Sequence, residues 1–520
     1  FHILVAEAFN SRIGASRRRR LHSRAFGLAG DVHRRARHAA NSVPVTPLAA
    51  AIDALVRSAR AYFASGNYVS SWATWQRAME LDPDALQLDD SIMALESADR
   101  AGFDTGTERE RIVAQALGAD LPDVAVKAAV SGLPATELVQ GDPGRVRAIR
   151  MIDPALLDHE HALRWKWHLS RQLVWLGEMD EARRLAHEVY DTARTADERA
   201  NGWLAVTLAT TWTHSPQALD ELTWVDDVVD PELKAKVTRT VNMARVVVGQ
   251  SRSHGRLFDD QLETARRNRS PLDEWWALVQ RATVLTDVGR REEAMALSVQ
   301  ALDLGLRAGV RTAYGVYETQ RVGWALQTGE LGDLLDHMEA LAAADTPNPI
   351  LSAVLAACRF AAADRYPGLR REAFNLASEL SKVLGDSPFS PAVAGLLAEV
   401  AGASADPELI AWAEASLGPL RGQHVVVATA IANLGPCHGL LARLTDDRDR
   451  RRHYLELARD EADDQRLPLW QVAGRLNLAR HLGPGPHGDR LMDEVTALAT
   501  TPWLQRIAAR RLDSETGQRP

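Results

Sequence analysis

The sequence predicts an all-α fold, an α–α superhelix of paired helices, on three observations. Ala, Leu, Arg and Glu dominate and alternating β-branched runs are nearly absent, so helical spacing is the main signal. Short loops marked by Gly, Pro and Asp recur: "SGN" at 65, "LDPD" at 81, "LGEMD" at 176, "DVGRREE" at 287 and "QTGELGD" at 327. Between these loops lie paired amphipathic segments, the pattern of stacked helical hairpins.

The 520 residues suffice for several domains or one long repeat array, and 46% hydrophobic with 25% charged residues is ordinary for a globular chain. Fourteen Trp outnumber seven Tyr and nine Phe, so the large ring carries much of the expected packing. The net charge of −8 hides an asymmetry. Residues 1–40 hold nine arginines against Glu7 and Asp31, an excess of +7 that leaves −15 on the rest. An acidic body of that kind is a poor nucleic-acid binder, because phosphate contacts need clustered positive charge. Cys358 and Cys437 are too few for a disulfide framework and have no zinc spacing, which predicts a reducing cytoplasm. The apolar runs "ILSAVLAAC" and "VVVATAIANLG" fall short of the roughly 20 residues a spanning helix needs.

The first segment contains "SRRRRLHSRAFGLAGD" (16–31), whose four consecutive arginines, Arg17–Arg20, are expected on a helix. Next comes the clearest repeat, "IDALVRSARAYFASGNYVSSWATWQRAMELDP" (52–83), which resembles a tetratricopeptide unit. Leu55, Ala59 and Tyr62 fall where its first helix packs, Gly66 and Tyr68 mark the turn, and Trp75, Ala78 and Pro83 match the second helix and its stop. Ser71 replaces the usual Ala. The stretch 105–150 is the most irregular. Further hairpins align on Gly177, with Ala182 in place, on Gly289, with Ala282, Ala294 and Ala301, and on Gly329. These units are longer than a regular 34-residue repeat, and the superhelix is expected over 46–512, with a disordered tail at 513–520.

Motifs of catalysis are sought and not met. None of the five lysines (127, 166, 234, 236, 382) follows a glycine, which removes a Walker A loop. "GPGPHG" (483–488) matches GxGxxG only on paper, since a helical segment precedes it and two prolines interrupt it; it reads as a loop between helices. In "DHEHAL", His159 and His161 point apart on a helix capped by Asp158. "PCHG" reads as a buried Cys437, and "TDDRDRRRHYLE" as a charged helix start without the turn glycine of a calcium loop. No catalytic or metal-ligating residue is assigned, and no enzymatic activity is expected.

One stripe is chemically distinctive. Arg164, Trp167, Arg171 and Trp175, at steps of three, four and four, share a helix face. Alternating guanidinium and indole suits an anionic or planar ligand through cation–π and bidentate contacts. The structural alternative is packing between repeats with solvated arginine heads. Trp275 and Trp276 carry the same ambiguity, with at least one expected in the core.

Both ends resemble one family. "FHILVAEAFN…RRRRLH…RARHAA" (1–40) is similar to the segment leaving the winged-helix part of signal-transducing ATPases, with Ala6 where Arg is common. "ANLGPCHGLLARLTDDRDRRRHYLELARDEADDQRLPLWQVAGRLNLARHL" (432–482) and "PWLQRIAARRL" (502–512) resemble the closing repeats of the large ATP-binding regulators of the LuxR family and the related ATPase–cyclase proteins. The resemblance implies that 1–45 is a helical connector from an ATPase module and that the chain begins inside a longer frame. It implies a sensor arm that binds a small-molecule inducer or a protein partner and works with its own ATPase module. ATP would bind upstream and no cofactor in this chain, with neither nucleic acid nor membrane contacted by it. A stand-alone tetratricopeptide scaffold for a peptide or protein partner is the alternative.

Overall fold

The computed structural model describes residues 13–513 apart from 102, 133–141, 211–218, 220–221, 254, 311, 345–347 and 386. Phe1, His2, "LVAEA" and residues 514–520 of the expected tail lie outside the described residues. The chain divides into two compact units, Phe1–Gln172 and Leu173–Pro520. Both are built of antiparallel α–α hairpins in tetratricopeptide-like succession.

The first unit contains α1 (Ala15–Leu28), α2 (Val32–Ala40), α3 (Leu48–Ala64), α4 (Tyr68–Leu81), α5 (Leu88–Ala101), α6 (Gly106–Gly118), α7 (Pro122–Val130), α8 (Pro143–Arg150) and most of α9 (His159–Leu176). Arg17–Arg20 lie on α1, which buries no residue. Asp31 starts α2 by accepting from the Arg34 amide at 2.8 Å, which satisfies an otherwise orphaned helical N–H. Ala36, Ala39 and Ala40 then bury against Ala51, Ala54 and Leu55 of α3, small residues that allow close helix approach. The repeat at 52–83 forms the hairpin α3–α4, with Leu55, Ala59, Trp75 and Ala78 buried. Ser71, in the place of the usual Ala, is buried too; its hydroxyl reaches the Ala59 carbonyl and the Ser97 hydroxyl, each at 2.9 Å.

The irregular stretch folds around a buried ionic node. Arg109 donates to the Ala128 carbonyl (2.5 Å), the Ser131 hydroxyl (3.0 Å) and Asp99, and Arg145 donates to Asp99 at 3.0 Å. Burial, reinforced by the neighbouring Arg145 charge, lowers the Arg109 guanidinium to about 10. Two guanidinium groups share one carboxylate while carbonyls and hydroxyls take up further N–H groups, Arg109 Nε alone of that side chain's nitrogens being left buried without a partner.

In the second unit α10 (Met179–Thr192), α11 (Ala196–Ala209), α12 (Pro231–Val247), α13 (Gly255–Arg267), α14 (Pro271–Asp287), α15 (Arg291–Arg307) and α16 (Ala313–Thr328) come first. They are followed by α17 (Leu335–Ala344), α18 (Pro349–Ala362), α19 (Gly368–Leu384), α20 (Ser390–Ser404) and α21 (Pro407–Leu417). A hairpin of β1 (His424–Val427) and β2 (Ala432–Pro436) interrupts the helices, and α22 (Cys437–Leu444), α23 (Arg448–Gln465), α24 (Pro468–Leu482), α25 (Pro486–Leu498) and α26 (Pro502–Asp513) complete the unit. The predicted turn glycines Gly66, Gly177, Gly289 and Gly329 all adopt φ between +74° and +83°, a region that disfavours a side chain. Ala182, Ala282, Ala294 and Ala301 are buried, as are both Trp275 and Trp276, so both indoles are core. "GPGPHG" is the loop from α24 into α25.

The second unit is not an open array. Its last helix returns to the loop after α14, where the Thr501 hydroxyl donates to the Gly289 carbonyl at 3.0 Å and Arg506 pairs with Glu292 at 3.1 Å. Arg252 likewise donates to the Arg466 carbonyl at 3.0 Å.

Candidate functional site

The interior of the second unit is organised by α14. Its segment "WWALVQRATVLTD" is largely apolar and carries a stripe of Gln280, Thr283 and Asp287, spaced three and four apart and all buried. That stripe receives the β-hairpin. Gln280 donates to the Thr429 carbonyl (3.1 Å), and the Thr283 hydroxyl lies 2.8 Å from the carbonyls of Ala430 and Ile431. Side chains of a helix thus satisfy turn carbonyls that would otherwise be buried unpaired. The strands are antiparallel with a bulge between Val425 and Val426.

Asp287 is the polar centre. Fully buried, it accepts from the Ser251 hydroxyl (2.8 Å), the Asn433 amide (3.0 Å) and the Trp470 indole (3.1 Å). Burial raises its carboxyl above the usual carboxylate range, while nearby His424 and the three donors offset part of the shift. Asn433 also donates to His424 Nδ1 (2.9 Å), and its oxygen accepts from the Gly435 amide (2.9 Å). His424 Nε2 reaches the Gln465 oxygen at 2.7 Å. His424 Nδ1 also lies 3.2 Å from the Asn433 oxygen, so both ring nitrogens are engaged within this chain of bonds. Gly435, at φ +102°, is required here: a Cβ would stand 2.5 Å from the Trp470 ring.

Next to this node lies a cavity of about 40 Å³. Asn433 and Trp470 line it from the node, joined by Gln327 of α16, Leu440 and Arg443 of α22, and Ala473 of α24. Gln327 is 6% exposed; its amide nitrogen donates weakly to the Asn433 carbonyl (3.5 Å), and its Oε1 has no partner.

The residues singled out in the sequence lie elsewhere, on α9. Arg164 is exposed, whereas Trp167 and Arg171 are half-buried. Trp167 meets His168 edge-on with ring centroids 4.1 Å apart. Trp175 belongs to the second unit and packs against Phe389 at 5.1 Å. Asp158 caps α9 as expected, accepting from the His161 amide at 2.9 Å. The His161 ring leans on the same carboxylate (2.9 Å) and lies 3.5 Å from Asp123, a neighbour that sequence spacing cannot reveal. Cys437 is buried, as expected; its thiol donates to the Leu417 carbonyl at 3.1 Å and burial pushes it up to about 12. His438 turns instead to Glu461, at 2.6 Å.

No protein-family model and no curated protein matches the chain. Among solved structures it is similar to the anaphase-promoting-complex hetero-tetramer Cut9–Hcn1, at 11% identity over 98% of both chains with a TM-score of 0.43. It is also similar to yeast Tom70, at 14% identity over 98% of this chain and 91% of that one with a TM-score of 0.25.

Proposed function

We propose that the chain is a non-catalytic sensor and interaction arm of a cytoplasmic, ATP-dependent transcriptional regulator, whose helical repeats bind an inducer or a partner protein. The observation that supports this reading best is the closure of the second unit. Asp287 is tied beside a cavity to Asn433 and Trp470, which lie 146 and 183 residues further along the chain. An occupant touching those residues would bear directly on closure, which is what a sensor needs. The resemblance of both ends to ATP-binding LuxR-type regulators supplies the regulatory context. ATP would be held by a module outside this chain.

A partner surface on α9 is part of the reading. Arg164, Trp167 and Arg171 present guanidinium and indole on one helix, with Trp175 continuing the stripe in sequence. The reading frame upstream of Phe1 is expected to encode a Walker A motif, and a start codon near Phe1 without one would overturn the regulator context. In the full-length protein, Trp167→Ala with Arg171→Ala should weaken inducer- or partner-dependent assembly about tenfold, beyond what any accompanying fall in melting temperature accounts for. Unchanged assembly would remove the stripe from the reading.

A further inference from the structure

We infer that Asp123, Asp158 and His161 form a binding site for one zinc-type divalent ion, held by two carboxylates and an imidazole nitrogen. This goes beyond the regulator reading and stands without it.

The three side chains come from two helix starts in the first unit. Asp123 lies in the first turn of α7, Asp158 caps α9, and His161 lies in the first turn of α9. One oxygen of each carboxylate and a ring nitrogen of His161 all lie within 4.8 Å of one another. His161 Nδ1 stands 2.9 Å from Asp158 Oδ1 and 3.5 Å from Asp123 Oδ1. Ligand bonds of about 2.1 Å place adjacent donors roughly 3.0 Å apart around an octahedral ion and roughly 3.4 Å apart around a tetrahedral one. Both observed spacings are therefore those of neighbouring ligands on one metal.

Charge points the same way. Among the described residues neither carboxylate meets a Lys or Arg, and His161 is the only basic side chain against them. The starts of α7 and α9 supply roughly half a positive charge each, which offsets about half of the two negative charges. The remainder favours a cation. The imidazole selects which one, because calcium and magnesium take oxygen ligands whereas nitrogen beside carboxylate suits zinc and its first-row neighbours.

Burial divides the labour. The His161 side chain is only 15% exposed, so its nitrogen is held toward the carboxylates. Asp158 is fixed as well, by the His161 amide at 2.9 Å. Asp123 and Asp158 remain 47% and 59% exposed, which gives the ion an entry path and leaves room for water at the open positions. The bound ion would tie the start of α7 to the start of α9. His161 gains this role through Asp123 of another helix, not through His159.

The test titrates zinc into the full chain after treatment with a chelator, by calorimetry, and follows with cobalt(II), which accepts the same ligands and broadens nearby amide resonances. One saturable zinc site is expected, with cobalt broadening centred on the amides of Asp123 and His161. Asp123→Asn keeps the shape of an exposed side chain and leaves the Asp158 cap intact, so it should fold normally and weaken zinc at least about tenfold. His161→Ala should abolish the site. Equal zinc affinity in wild type and Asp123→Asn would overturn the inference. So would absence of saturable binding, or broadening centred on His22 and His38, whose ring nitrogens also lie 2.9 Å apart. Upstream sequence bears only on the regulator reading, so either idea fails alone.

Discussion

At the scale of single residues, Asp287 carries the most consequence. Three donors face its carboxylate and no Lys or Arg pairs with it among the described residues, so ionisation there pays a burial cost that the hydrogen bonds offset only in part. Its folded pKa is raised by burial. Between the unfolded value, about 3.9, and the raised folded value, the folded state holds a proton that the unfolded state has released. Asp287 therefore favours folding most on the acidic side of this window, and the advantage is lost as pH rises through the folded pKa. Urea unfolding of wild type and Asp287→Asn at pH 8, 6.5 and 5 checks the sign, since titrations common to both chains cancel. Relative to the variant, wild type should gain stability as pH falls. A gain in the opposite direction would mean that the three hydrogen bonds outweigh burial. Ser251, Asn433 and Trp470 were each visible in the sequence, but nothing local to any of them announces a shared carboxylate 36 to 183 residues away.

At the scale of elements, the β-hairpin is where local sequence and final structure part. The helical hairpins were legible because their signals are local: turn glycines, small residues at fixed steps, a large ring between repeats. All four predicted turn glycines and every singled-out alanine take the expected places. "VVVATAIANLGP" carried a strand signal in its three valines, yet its turn lacks the Asn-Gly or Asp-Gly pair that marks a tight hairpin. Instead Ala428 and Ala430 enter the left-handed region, at φ +47° and +60°. Tertiary packing holds them there, with Gln280 and Thr283 taking the turn carbonyls. Ala430 is fully buried, so its methyl group contributes packing that glycine would lose. Ala428 is half-buried and has less to lose. Ala428→Gly should raise stability by roughly 0.5–1 kcal/mol, the left-handed penalty relieved less the added unfolded-chain entropy. Ala428→Val should lower it by at least about 1 kcal/mol, because a β-branched residue tolerates that conformation least. Urea midpoints of the two variants decide the matter, and a loss with glycine would show that the turn is not strained. The same reasoning explains why the α9 stripe was readable and the interior site was not. A stripe is a property of one helix, whereas the polar face of α14 acquires its meaning only from a hairpin about 150 residues later.

At the scale of the molecule, closure of the second unit separates this chain from an open repeat array. In an open array each repeat touches only its neighbours, so loss of the terminal helix disturbs the penultimate one and little else. Here α26 buries Trp503, Leu504 and Ile507 completely or nearly so. Leu504 sits where a Cβ on Gly289 would come within 3.0 Å of it, and Ile507 reaches the cavity. Burying three such side chains is worth on the order of 5 kcal/mol, and Thr501 and Arg506 add polar contacts to the loop after α14. Ending the chain at Thr500 should therefore act at a distance. Amide exchange is expected to accelerate at Gly289–Glu292 and at the Asp287 node, more than 200 residues upstream of the cut, as local opening becomes cheaper. The helices α18 and α20, which pack into a separate core around Cys358, Leu397 and Leu441, should stay protected. Exchange that quickens only in α25 would instead describe an array with free ends, and closure would lose its place in the sensor reading. If the loop after α14 opens while the hairpin stays protected, closure and hairpin docking are separable. The cavity would then lose Ile507 from its wall while Asn433 and Trp470 keep their hydrogen bonds to Asp287.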